Sequence, residues 1–178
     1  MKLVDKIHSD YVHGRRVEKL SQYLGELIPL NARVLDVGCG DGLLAHLIAN
    51  ERPDIKINGV DVLIREKTYF TIDKFDGRTL PYADNAFEVV MFTDVLHHTE
   101  DPMILLKEAK RVSSNSIVLK DHTQDGFLAG PTLRFMDYIG NAKHGVSLPY
   151  NYWTEKQWHD AITELDLKID KWKHNLES

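Results

Sequence analysis

Apolar residues recur along the chain in two rhythms. Val17, Leu20, Leu24, Leu27 and Ile28 are spaced as one stripe of an amphipathic helix, which Pro29 closes. Arg33-Val34-Leu35-Asp36-Val37 is instead a short continuous apolar run rich in β-branched residues, the mark of a buried strand. Helical spacing returns at Leu43, Leu44, Leu47 and Ile48 and ends before Pro53. A second strand is predicted over Ile55–Val60, a weaker third over Thr68–Ile72, and a fourth over Phe87–Phe92. Asp101 offers a helix N-cap with Pro102 at the first helical position, and Leu105, Leu106, Ala109 and Val112 supply the buried stripe. Ser116–Leu119 reads as a fifth strand. Thr154-Glu155-Lys156-Gln157 fits a capping box ahead of Trp158, Ala161, Ile162 and Leu165, and Leu167–Trp172 reads as a last strand.

Strands and helices thus alternate, and the strands are apolar on both faces. That pattern predicts a single α/β domain over residues 1–178: a doubly wound, mostly parallel sheet with helices on both faces. Residues 122–153 break the alternation, holding only one short helical stretch at Pro131–Ile139. A connection that long inside a compact domain is expected to be a lid or binding insertion. It carries Phe127, Phe135, Tyr138, Tyr150, Tyr152 and Trp153, which either line a pocket or pack the insertion onto the sheet.

Composition narrows the function. Of 178 residues, 43% are apolar and 28% charged, and 22 Lys+Arg against 27 Asp+Glu leave a net charge of -5. An acidic balance disfavours a partner recognised through nucleic-acid phosphate or anionic lipid. The one cysteine, Cys39, cannot form an internal disulfide. No run reaches the length of a membrane span, and the first residues lack a signal-peptide core, so a soluble cytoplasmic chain is expected.

The chemistry concentrates after the first strand. Gly38, Gly40 and Gly42 form G-x-G-x-G, with Leu43 where a dinucleotide fingerprint needs its third glycine, and no P-loop Lys follows. Asp36 and Asp41 flank the loop and would repel pyrophosphate but suit a cation. Asp61, at the end of the second strand, is placed to bond ribose hydroxyls. A ribose-bearing cation points to S-adenosylmethionine.

Three segments also carry a family resemblance. They are Val34–Gly42, the stretch Asp76-Gly77-Arg78-Thr79-Leu80-Pro81-Tyr82-Ala83-Asp84-Asn85-Ala86-Phe87-Glu88-Val89-Val90, and Val95-Leu96-His97-His98-Thr99-Glu100-Asp101-Pro102. In order and spacing they resemble class I S-adenosylmethionine-dependent methyltransferases of the type 11 domain branch, over roughly residues 30–120. The resemblance implies that Asp36, Gly38 and Gly40 surround the methionine moiety and that Asp61 takes the ribose. It places Val62 on the adenine face, Asp76 and Gly77 at the adenine amino group, and Thr93 and Asp94 at the methionine end. It also implies a sheet that normally continues to a sixth strand and an antiparallel seventh. Leu167–Trp172 would supply the sixth, and no sequence remains for the seventh. A homodimer is one way to cover the resulting edge.

Methyl transfer needs a base only when the acceptor arrives protonated. His98, Asp121 and His122 are the residues expected to act there, beside His97, with His144 and Tyr150 as weaker candidates. Across the resembling family the His97-His98 pair belongs to loop packing. No His/Cys grouping has zinc spacing, so no metal is expected. The expected function is methyl transfer to a small molecule. The alternatives are a non-catalytic S-adenosylmethionine-binding protein and an NAD-dependent oxidoreductase.

Overall fold

The computed structural model describes residues 16–124 and 151–174. Helix α1 covers 16–27 and buries Leu24, with Ile28 buried just past its end, as the stripe predicts. Its last carbonyls are satisfied from the far end of the next helix: Arg52 donates to the carbonyls of Gly25 at 2.6 Å, Ile28 at 3.1 Å and Pro29 at 3.3 Å. Then follow β1 (Arg33–Val37), α2 (Leu43–Glu51), β2 (Lys56–Asp61), β3 (Ile72–Lys74), β4 (Phe87–Thr93), a 3₁₀ turn (Leu96–His98), α3 (Pro102–Val112), β5 (Ser113–Lys120) and α4 (Glu155–Glu164). Asp101 accepts from the Met103 amide at the α3 N-terminus, and Thr154 and Gln157 close the α4 capping box, both as the sequence predicts.

The strands form one five-stranded sheet in the order β3-β2-β1-β4-β5, with every pair parallel. Side chains alternate faces along each strand. Val34, Val89, Met91 and Val118 therefore join α1 and α2 on one face, while Leu35, Val37, Val90 and Phe92 join α3 and α4 on the other. This is the doubly wound α/β architecture expected from the alternation of elements. Strand order reverses direction between β1 and β4, and such a switch point opens a crevice outside the carboxyl ends of the strands.

Three expectations need correction. The third strand lies over Ile72–Lys74, not Thr68–Ile72. The Tyr69 amide donates to the Asp41 carbonyl at 2.9 Å, and the Phe70 ring fills the space beside Gly42 and Gly59, so this stretch packs on the glycine loop. The fifth strand starts at Ser113 because polar Ser113-Ser114-Asn115 sits at the sheet's outer strand, where apolar side chains are not required. Leu167–Trp172 forms no strand. Leu167 and Trp172 pack against the α4-side core, and burial of a covering segment, not sheet pairing, explains their apolar character.

The long connection leaves and returns at one place. Thr123 bridges Trp153, and the Gln124 amide donates to the Trp153 carbonyl at 2.9 Å. Of its aromatics, Tyr152 is buried and Trp153 packs on Trp158 with ring centroids 4.8 Å apart. The predicted helix at 131–139, together with Phe127, Phe135, Tyr138, His144 and Tyr150, lies outside the described residues.

Candidate functional site

The β1–α2 turn is shaped by backbone positions that side chains rarely adopt. Gly38 and Gly40 have φ of 72° and 64°. The Gly38 amide donates to the Val60 carbonyl at 2.8 Å, tying the turn to β2. Asp61, at the end of β2, fastens it further: one carboxylate oxygen accepts from the Gly40 amide at 2.8 Å and the other from the Leu63 amide at 2.8 Å. A carboxylate has about four lone-pair sites, so two remain for a ligand.

The two glycines differ in what a side chain would meet. A Cβ at Gly38 would stand 2.6 Å from Val95, whereas a Cβ at Gly40 would meet nothing within 4 Å among the described residues. Gly40 thus borders an open space, and Gly38 packs on Val95, two residues past the end of β4. Gly38→Ala is expected to lose about 2 kcal/mol of stability from the clash plus the left-handed backbone. Gly40→Ala should lose about 1 kcal/mol, from backbone alone, and show its larger effect on ligand binding. Urea unfolding and binding titration of both variants check the contrast.

Asp36 lies beneath this loop with 3% of its surface exposed. Burial, and secondarily the charge of Asp61, pushes its carboxyl up to about 7, and no cation or hydrogen-bond donor among the described residues offsets either. Burial likewise pushes the Cys39 thiol far above its usual range, with Asp36 and Asp61 adding to the effect, so Cys39 is no nucleophile.

Beyond β2 and β3 the chain continues the same rim. Val62, Leu63 and Ile64 are exposed apolar residues. Gly77, with φ of 80°, brings its Cα so near Val62 that a Cβ there would be 3.1 Å from the valine methyl. One oxygen of Asp76 accepts from the amides of Arg78 at 2.8 Å and Thr79 at 2.7 Å, which holds its carboxyl below the usual carboxylate range. The other oxygen has no such partner among the described residues. Arg111 clamps this loop to α3 through the carbonyls of Leu80 and Tyr82 and the carboxylates of Glu108 and Asp84.

At the ends of β4 and β5 lies a second group. Thr93 Oγ1 is buried with no partner among the described residues. Asp94 adopts φ of 56°, its amide donates to the Lys120 carbonyl at 2.8 Å, and both of its carboxylate oxygens lie 2.5 Å from Lys120 Nζ. His122 Nε2 is 3.2 Å from the same carboxylate. Asp121 is almost wholly enclosed, with 1% of its side chain exposed. It accepts from the amides of Leu96, His97 and His122 at 2.9, 3.3 and 2.7 Å and contacts His97 Nδ1 at 2.5 Å. Burial alone would raise the Asp121 carboxyl, but the His97 contact and the His122 amide hold it below its ordinary value. The His97 ring stacks on Tyr152 at 4.9 Å and lies 4.1 Å from the His98 ring.

The predicted residues therefore fall into two adjoining groups joined at the Gly38–Val95 contact. Asp36, Gly38, Gly40 and Asp61 meet in one, with Val62, Asp76 and Gly77 along its rim. Thr93, Asp94, Asp121 and His122 meet in the other, with His98 reaching it through His97. Sequence reasoning missed Lys120, Val95 and the Asp121–His97 contact. Lys120 carried a usable signal, a lone cation closing an apolar strand next to Asp121-His122. Asp94, His97 and Asp121 bring donor atoms within 4.8 Å of one another, a spacing a metal ion could bridge. Their oxygens are already committed to Lys120 and to four protein donors, so the cluster is neutralised from within.

A family model described as a methyltransferase domain matches residues 9–171. The 27-O-demethylrifamycin SV methyltransferase of Amycolatopsis mediterranei is 29% identical over 109 residues, covering 53% of this chain and 40% of that protein. The ubiquinone biosynthesis O-methyltransferase of Cereibacter sphaeroides is 28% identical over 115 residues, covering 58% and 46%. The chain spans less than half the length of these relatives. A solved S-adenosylmethionine-dependent methyltransferase from Methanosarcina mazei shares the fold with a TM-score of 0.64 at 18% identity, covering 85% of this chain and 87% of that one.

Proposed function

The chain belongs to the methyltransferase domain family, and on that premise we propose that it binds S-adenosylmethionine outside β1, β2 and β4 and passes its methyl group to a small-molecule acceptor. The observation that carries this reading is the open space over Gly40, bounded by Asp61 with two acceptor sites left and by a buried Asp36 that has no counter-charge among the described residues. An enclosed acid without a partner suits a ligand that brings its own positive charge. When bound, the cofactor supplies a sulfonium methyl that needs no further activation.

In this reading Asp36 answers the cofactor's ammonium group and Asp61 the ribose hydroxyls. Val62 and Gly77 flank the adenine, and the unengaged oxygen of Asp76 accepts from its amino group. Thr93 Oγ1 gains its missing partner at the methionine end. Much of the rate then comes from holding donor and acceptor in line and excluding water. Residues 122–153, pinned at their base by the Thr123–Trp153 bridge, are assigned to covering the acceptor. His122 takes a proton from the acceptor. Its Nε2 faces Asp94 and therefore carries the hydrogen, which leaves the lone pair on Nδ1. Asp121 acts as a positioning residue, since its oxygens are engaged by Leu96, His97 and His122, and His98 contributes packing. The net charge of -5 supports a small acceptor over nucleic acid, as do the relatives named for rifamycin and ubiquinone chemistry. A cytoplasmic location belongs to the same reading and rests on the single cysteine. Among the described residues no helix is long and apolar enough to cross a membrane.

The test is formation of S-adenosylhomocysteine when the protein and S-adenosylmethionine meet a panel of small hydroxyl, amine and thiol acceptors, beside RNA and protein. Turnover with a member of the small panel supports the proposal. Turnover only on a macromolecule removes the acceptor class, and tight cofactor binding without any turnover favours a binding protein.

Asp36 gives the reading a pH signature. Burial pushes its carboxyl up to about 7, above the ordinary carboxylate range of the unfolded chain, so the folded ligand-free protein holds the proton more tightly. Stability of the ligand-free protein should therefore fall as pH rises from about 4 to 7. Binding a cation requires the ionised form, so affinity should rise over the same window, by about tenfold per pH unit below 7. Asp36→Asn is expected to raise the ligand-free melting temperature and flatten the pH dependence of binding, both readable by calorimetry.

A further inference from the structure

The second group contains a cation that the proposed transfer has not used. Lys120 has 16% of its side chain exposed, and its Nζ sits 2.5 Å from each oxygen of Asp94. The same carboxylate faces His122 Nε2 at 3.2 Å. We propose that Lys120 is a positioning residue for His122: its ammonium cancels the charge of Asp94, so the carboxylate fixes the imidazole's orientation without drawing it into the protonated form. This inference rests on His122 acting as the base.

A lone carboxylate beside a histidine does two things at once. It holds the ring by accepting from one nitrogen, and it stabilises the imidazolium by charge. The second effect defeats a base, because a histidine that is already protonated accepts nothing. A lysine on the carboxylate's two oxygens separates the effects: the acceptor stays in place while the net charge facing the imidazole approaches zero. Among the described residues His122 is faced by Lys120 at the end of β5, Asp121 just after it, Asp94 after β4, His97 on the 3₁₀ turn and Tyr152 ahead of α4. Asp94 and Asp121 favour its charged form. Burial, Lys120 and His97 oppose it and prevail, leaving His122 below the ordinary imidazole value.

The experiment is a nuclear magnetic resonance titration of the His122 ring, assigned by its loss in His122→Gln. In the wild type the midpoint should lie below about 6.5, the ordinary histidine value. Lys120→Met should raise it by about one pH unit, as the uncovered carboxylate acts on the ring, and Lys120→Arg should restore it. Asp94→Asn, which leaves the lysine's charge uncompensated, should lower it further. A wild-type midpoint at or above 6.5 overturns the proposal, as does a midpoint that neither Lys120→Met nor Asp94→Asn moves. If Lys120→Met fails to fold, the wild type and Asp94→Asn decide. Normal S-adenosylhomocysteine formation by His122→Gln alongside the expected midpoints would instead remove the base assignment, and with it the part of Lys120 in transfer.

Discussion

Asp61→Ala should weaken S-adenosylmethionine binding by about a hundredfold. Two losses combine. The ribose hydroxyls lose a charged acceptor, worth roughly 1.5–3 kcal/mol for each hydrogen bond, so two such bonds at the lower end of that range correspond to about 3 kcal/mol. The Gly40 and Leu63 amides also lose the carboxylate that holds the loop in its binding shape, at 2.8 Å each. Asp61→Asn keeps one acceptor oxygen and should fall between the variant and the wild type. Removing Asp61 also relieves the charge that helps push Asp36 up, so whatever binding remains should turn on at lower pH. Calorimetric titration at fixed pH measures the first effect and its pH series the second. An alanine variant binding within about threefold of wild type would remove Asp61 from the site.

Asp121→Ala should destabilise the protein by about 3–5 kcal/mol, the loss expected when one member of a buried, hydrogen-bonded charged pair is deleted. The carboxylate serves three backbone amides and the His97 ring from a site with 1% exposure, and alanine would leave those donors enclosed without acceptors. The effect depends on pH in a defined direction. The folded carboxyl lies below its ordinary value, so its contribution is complete at neutral pH and is lost as pH falls through the folded-state value. The gap between variant and wild type in urea unfolding should therefore be widest near neutrality and narrow in acid. A gap below about 1 kcal/mol at neutral pH would mean that Asp121 does not organise the loop.

What could be read from the sequence divides along the same physical lines. Elements that bury a regular stripe or carry their own caps were legible, such as α3 behind Asp101-Pro102 and α4 behind Thr154–Gln157. The acids at strand ends were legible too, because Asp36 and Asp61 owe their places to two local strands and a glycine turn. Contacts between distant segments were not. Asp121 meets His97 across 24 positions and Lys120 meets Asp94 across 26, and no local rhythm encodes such pairings. The third strand was misplaced because Phe70 has the same apolar character whether it pairs in a ladder or fills the space above Gly42 and Gly59. Leu167 and Trp172 misled for a similar reason, since burial against a core and burial within a sheet leave one composition.

The most direct measurement is calorimetric titration of the wild-type protein with S-adenosylmethionine, S-adenosylhomocysteine and NAD at pH 8, where Asp36 is ionised. The account predicts binding of both sulfur nucleosides in about the micromolar range and no heat from NAD. Binding of NAD, or of none of the three by a folded protein, would contradict it.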